Sequence, residues 1–171
     1  MSNRPAPGDA APWSLRYIDL IPGHDPLDAM AAQLDEATAF LAGISDERSL
    51  HRYAPGKWSI REVLGHITDT ERVFAFRALW FARGLPSPLP AFEQDAAIPA
   101  QQAHRLAWTT LIAEFRTTRR ATLDLFRNLP ADAFPRRGIA SNASFTVLAF
   151  AYMIPGHTAY HIQLLRDRYL D

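Results

Sequence analysis

The sequence contains no cysteine. That absence excludes disulfides and a protein thiol nucleophile, and it leaves His, Asp and Glu as the side chains able to hold a metal ion. Lysine is almost missing as well: Lys57 is alone among 18 basic residues, the rest being arginine. Net charge is absent, because the 18 basic residues are balanced by 18 acidic ones. Bulk attraction to nucleic acid or to an anionic membrane needs a positive excess, so neither partner is expected. There is no long hydrophobic run. The stretch from Phe145 to Pro155 is the longest, about half of the ~20 residues that span a bilayer. The opening Met-Ser-Asn-Arg-Pro-Ala-Pro-Gly-Asp lacks the apolar core of a signal peptide, so a cytoplasmic protein is expected. Glycine-rich phosphate loops, nucleophile elbows and paired-carboxylate motifs are missing too.

What is present is helical periodicity. The 171 residues, 48% apolar and 21% charged, suit one domain with a full core. We divide the chain into an N-terminal extension, 1–19, and a domain, 20–171. Four helical segments are predicted in that domain, with no alternating pattern of a half-buried strand, so the fold class is all-α. The first runs from Pro26 to Ala42, with Asp25 as N-cap and Gly43 as stop, on an apolar stripe of Leu27, Met30, Leu34, Ala37 and Leu41. The second runs from Ile60 to Arg83, opened by an S-x-x-E capping box of Ser59 and Glu62 and closed by Gly84. The third runs from Pro99 to Leu129. The fourth runs from Phe145 to Tyr169 behind Ser144 as N-cap, and it is apolar almost all round until Pro155. Pro155 and Gly156 are costly inside a buried helix and should kink it. They stand directly before His157, and local rule-breaking of this kind gathers at functional sites.

His157-Thr-Ala-Tyr-His161 places two imidazoles four residues apart on one helix face, close enough to chelate one ion. His66 lies on the core-facing side of the second helix. Three neutral imidazoles suit zinc, nickel and similar ions, and they leave a fourth position open. The plain alternative is a set of hydrogen-bonded core histidines. At about 1.5 Å per residue, His66 lies roughly 10 Å from the start of its helix. The pair lies roughly 12–20 Å from the end of the fourth helix. The levels meet if the second and fourth helices are antiparallel, which a simple up-and-down bundle does not allow. A four-helix bundle with one crossover connection is therefore expected. The proline-rich loop 84–98 reaches about 45 Å at polyproline pitch and is the favoured crossover. It would return His104, a candidate fourth ligand or proton-transfer residue, to the metal end. His24 and His51 fall in predicted loops. Arg116, Arg119, Arg120 and Arg127 form a basic cluster that reads as a solvated helix face with nearby acids, a site for an anionic substrate being the alternative.

Ala54-Pro-Gly-Lys-Trp-Ser-Ile-Arg-Glu-Val-Leu-Gly-His66, with Asp69-Thr-Glu-Arg-Val-Phe-Ala-Phe-Arg77, resembles the second helix of the DinB/YfiT-like superfamily of metalloenzymes. Gly156-His-Thr-Ala-Tyr-His161 resembles the paired histidines of its fourth helix. The likeness spans roughly residues 20–171. It implies a bundle that departs from up-and-down order, a His66/His157/His161 metal triad holding one divalent ion, commonly nickel or zinc, and a homodimer. It also implies a reaction: some members are transferases or isomerases that use bacillithiol, mycothiol or glutathione. Many relatives carry Glu where Thr158 stands and a second His where Tyr160 stands. The expected function is thus a metal-dependent enzyme acting on a small molecule, a low-molecular-weight-thiol S-transferase being the leading form. The alternatives are a hydrolase working through metal-bound water, a non-catalytic metal-binding or stress-response protein, and a bundle with structural histidines only. His104 and Tyr160 are the candidate catalytic groups, and Tyr160, His104, Arg52 and Lys57 are candidate anchors for a substrate's polar tail.

Overall fold

Asp25 ends an extended stretch, and its carboxylate accepts the amides of Leu27 and Asp28. With Pro26 at the first turn, this cap launches a helix through Ala42. The computed structural model describes residues 4–23 and 25–170. Its helices are α1 (Leu15–Ile18), α2 (Pro26–Ala42), α3 (Ile60–Ala82), α4 (Gln94–Gln101), α5 (Trp108–Arg127) and α6 (Val147–Tyr169). A two-stranded antiparallel hairpin, β1 (Arg137–Ala140) and β2 (Ala143–Thr146), precedes α6. His24 lies outside the described residues.

The molecule is therefore mostly helical rather than all-α, and two expected boundaries shift. The fourth helix starts at Val147, not Phe145, and Thr146 rather than Ser144 caps it by accepting the amide of Ala149. Phe145 and Thr146 are held instead in the hairpin, opposite Gly138 and Arg137. Ser141 and Asn142 form its two-residue turn, both at positive φ, as tight hairpin turns require. The third helix is interrupted. α4 stops where Gln102 turns left-handed (φ 50°), a short turn over Ala103–Arg105 follows, and α5 begins at Trp108. Asp46 fixes that restart by accepting the Trp108 amide, while the Trp108 indole donates to the Leu41 carbonyl.

Apolar burial falls into two clusters. One gathers Met30 of α2, Phe74, Ala78 and Phe81 of α3, Leu123 and Phe126 of α5, and Val147 to Ile154 of α6. The other gathers Leu34 and Leu41 of α2, Ile60 to Ile67 of α3, Trp108 to Phe115 of α5, and Ile162 to Tyr169 of α6. α3 and α5 thus leave the second cluster for the first, while α2 and α6 run the other way. Residues 83–107 join α3 to α5. Leu89 in that link pairs its backbone with Ile139 and Ser141 of the hairpin region, and Arg77 reaches the Pro90 carbonyl.

Between the clusters lies a buried polar layer. Gln33, Thr70, Glu71, Arg119, His157, Thr158 and His161 all fall at this height on their helices, and His66 reaches it from the edge of the second cluster. The N-terminal segment joins the first cluster through Ala10, Ala11, Ile18 and Ile21, and packs along α6.

Candidate metal centre

His66 is placed by a local device at the start of its helix. Ser59 accepts the Glu62 amide, and the Glu62 carboxylate returns the favour to the Ser59 amide at 2.7 Å. That box fixes the first turn of α3, and His66 follows two turns later. His157 and His161 share one face of α6, which continues through Pro155. The Pro155 carbonyl is taken by Gln33 Nε2 at 2.8 Å.

The three rings converge. His66 Nε2 lies 3.1 Å from His157 Nε2, and His161 Nε2 lies 3.1 Å from the same atom. All three ligand atoms fall within 4.8 Å of one another, and among the described residues this is the group of three or more potential ligands that could hold an ion. Ligand bonds of about 2.0–2.1 Å at a tetrahedral centre set nitrogens about 3.3 Å apart. The spacing therefore fits a single divalent ion. Each ring is almost shut from solvent, at 4% for His66 and His157 and 7% for His161. Burial lowers His66 to about 4 and His161 to about 3, the latter helped by the charges of His66 and Arg16. Burial also pushes His157 well down, with His161, His66 and Arg16 adding to it. All three are neutral at physiological pH, the form that donates a nitrogen lone pair. His66 Nδ1 has Thr70 Oγ1 at 3.4 Å, whereas His161 Nδ1 is buried with no hydrogen-bond partner.

Aromatic rings wall the centre. Trp58 lies 5.0 Å from the His66 ring, Tyr17 and Phe74 lie 5.2 and 6.0 Å from His157, and Tyr160 lies 5.2 Å from His161. Tyr160 is 37% exposed and marks the outer edge. Gly156 explains itself here: a Cβ on it would stand 2.0 Å from the Tyr17 carbonyl oxygen. The glycine lets the N-terminal segment press its backbone onto α6 one residue before His157. Gly65, one residue before His66, is likewise filled by the Gln101 side chain, 2.0 Å from where its Cβ would be.

The remainder of the layer is an ion pair. Arg119 is fully buried and donates to Glu71 at 2.9 Å, to Gln33 Oε1 at 2.8 Å, to Thr158 Oγ1 at 3.0 Å and to the Met30 carbonyl at 3.3 Å. The expected solvated basic face is wrong at this position. Arg119 points inward, because Glu71 supplies the carboxylate that a buried guanidinium needs.

Other expected groups stay apart. His104 is exposed on the turn between α4 and α5, and it is not among the converging ligands. Its backbone carbonyl accepts from Arg61. His51 lies edge-on to Tyr169. Arg52 is committed to the Glu62 carboxylate and the Lys57 carbonyl. The roles of Tyr17, Arg16 and Trp58 were not foreseen. Trp58 stands in the motif before His66, and the Pro155-Gly156 pair was the one trace of the segment carrying Tyr17. A groove of ≈420 Å³ lined by Gln33, Glu36, Ile162 and Arg166 lies between α2 and α6. It carries none of the three histidines and is separate from the centre.

A sequence profile described as the DinB superfamily matches residues 29–165. No curated protein matches the sequence. Among solved structures, YfiT from Bacillus subtilis superposes with a TM-score of 0.66 at 17% identity, over 96% of this chain and 92% of that one. It is described as "a probable metal-dependent hydrolase with an unusual four-helix bundle topology". The mycothiol-dependent maleylpyruvate isomerase superposes with a TM-score of 0.70 at 11% identity, over 85% of this chain. This chain spans 61% of that enzyme's length. At these identities the two likenesses speak for the fold.

Proposed function

This chain belongs to the DinB superfamily, and we propose that it is a metal-dependent enzyme with His66, His157 and His161 as the ligands of one divalent ion. The observation that carries this is the convergence of three buried, neutral imidazoles, with the Nε2 atoms of His66 and His161 each 3.1 Å from that of His157 and all three ligand atoms within 4.8 Å of one another. Uncharged nitrogen donors favour nickel or zinc over magnesium or calcium. Such an ion supplies a Lewis acid that lowers the pKa of a thiol or a water beside it.

In the leading form the substrate is a low-molecular-weight thiol and the reaction an S-transfer. The solved structure of a mycothiol-dependent isomerase on the same fold supports the thiol class. The chain's own residues then divide the labour. Trp58, Tyr17 and Phe74 exclude water around the rings, and Tyr160 is the polar group at the open edge. His104, exposed and apart, takes no part in this scheme. Hydrolysis is the second form, favoured by the match to YfiT over nearly the whole of both chains. We take the bundle to have one crossover, carried by residues 83–107, and the active species to be a homodimer.

The test is elemental analysis of protein purified without chelator, followed by thiol transfer. We expect up to one divalent ion per chain, most of it lost in His66→Ala, His157→Ala and His161→Ala and kept in His51→Ala and His104→Ala. Metal-loaded protein is then assayed with bacillithiol, mycothiol, glutathione and coenzyme A against a model electrophile. Conjugation no faster than with His161→Ala, for every thiol, would leave hydrolysis. Protein that takes up no metal even after supplementation would sink the proposal.

A further inference from the structure

Arg16 is a cation beside the tyrosines that flank the histidine centre, and the scheme above does not use its charge. It is exposed, so its guanidinium should wander in solvent. Instead it is held in place. Nη2 donates to the Tyr17 hydroxyl at 3.0 Å, and the guanidinium carbon lies 4.8 Å from the Tyr17 ring centre and 5.6 Å from that of Tyr160. The two tyrosines stand edge to face, 5.5 Å apart. Each touches a histidine of the triad, Tyr17 against His157 and Tyr160 against His161. No carboxylate of a described residue forms an ion pair with Arg16, whereas Arg52, Arg61, Arg72 and Arg119 are each matched to one. A guanidinium has five donors in a planar fork, and Tyr17 takes one.

The geometry points to Arg16 as an anion-anchoring residue at the mouth of the histidine centre, with a substrate that carries a carboxylate. A single planar fork suits one carboxylate in bidentate contact. A dianionic phosphate group would call for a second cation, and Tyr17 and Tyr160 flank Arg16 with aromatic faces instead. The anchored group then reaches the rings past Tyr160, the exposed edge. This inference rests on the histidine centre being the reactive site. It adds the class of molecule that enters. A purely structural Arg16, there only to steady Tyr17, makes the opposite forecast: its loss weakens charged and neutral ligands alike.

The experiment reads binding rather than turnover. Tryptophan fluorescence, with Trp58 against His66 as reporter, is followed while metal-loaded protein is titrated with 3-mercaptopropionate, with its neutral amide, and with propionate in the presence of the amide. We expect a preference of about tenfold or more for the carboxylate over the amide. Preference shown by the mercaptocarboxylate alone places the anion on the thiol substrate. Preference shown by propionate beside the neutral thiol places it on the second substrate. Either supports the anchor. Arg16→Gln should erase the preference while leaving the amide's affinity unchanged, and Arg16→Lys should restore part of it. Preference that survives Arg16→Gln, amide and carboxylate weakened together, or no measurable binding of either, would overturn the inference. His161→Ala separates it from the metal proposal. Loss of metal with the Arg16-dependent carboxylate preference intact would leave the anchor standing without the metal reading.

Discussion

Metal-free protein should lose stability as pH falls from 8 to 5, because the triad is buried uncharged. In the unfolded chain a histidine titrates near 6.5, whereas in the fold His66 is lowered to about 4 and His161 to about 3. Between those limits the unfolded state holds more protons, so folding free energy falls with pH. The loss begins near pH 6.5 and continues to the folded values. From pH 8 to pH 5 each of the two rings accounts for about 2 kcal/mol, and His157 acts in the same direction. About 4 kcal/mol is a large share of the 5–15 kcal/mol that ordinarily holds a domain together. For a chain of this length it corresponds to a fall in Tm of roughly 8–16 °C. The two carboxylates with lowered values act outside this window. Glu62 and Asp46 are both held below their ordinary values, Glu62 by Arg52 and the Ser59 amide against the opposing effect of burial, Asp46 by the Trp108 amide. Their contribution is present above about pH 4.5 and is lost only below it. The assay is urea and thermal unfolding followed by circular dichroism, in chelator, at pH 8, 7, 6 and 5. A variant with His66→Asn and His161→Asn should show a flatter profile by about the same 4 kcal/mol. A wild-type Tm that is level across this range would refute the burial of neutral rings.

Gly156→Ala should destabilise by about 1–3 kcal/mol. It should also speed proteolysis within residues 4–21, since its Cβ would meet the Tyr17 backbone rather than a movable side chain. Wild-type unfolding and cleavage rates would show that the segment is not pressed onto α6. Glu71→Gln should cost about 3–5 kcal/mol in urea unfolding by leaving Arg119 charged and unpaired inside. An unchanged midpoint would mean that Gln33, Thr158 and the Met30 carbonyl suffice to hold it.

Legibility followed locality. α2 and the start of α3 could be read because their caps, Asp25 with Pro26 and Ser59 with Glu62, are written within four residues. The histidine pair was visible because four residues is one helical turn, and His66 stood in an apolar stripe. The hairpin was missed because its strands are four residues long, and its turn, Ser141-Asn142, lacks the glycine that usually signals one. The interruption near Gln102 was missed because nothing in Gln-Gln-Ala-His breaks a helix on its own. The tether that fixes the restart at Trp108 is Asp46, far away in sequence. Arg119 was misplaced for the same reason: its partner Glu71 lies 48 residues earlier, and charge pattern along one helix cannot reveal a carboxylate on another. Tyr17 belongs to a segment too short for periodicity to speak.

Arg119 also bears on how the chain assembles. Its donors are met by groups on α2, α3 and α6, while it sits itself on α5. Any arrangement missing one of those helices strands part of a buried charge. Partial structures are thereby penalised at their centre, where an apolar interface would have tolerated them. The bundle should fold in a single cooperative step, and a pair of helices excised from it should not hold together. Separately expressed halves should gain structure only when mixed.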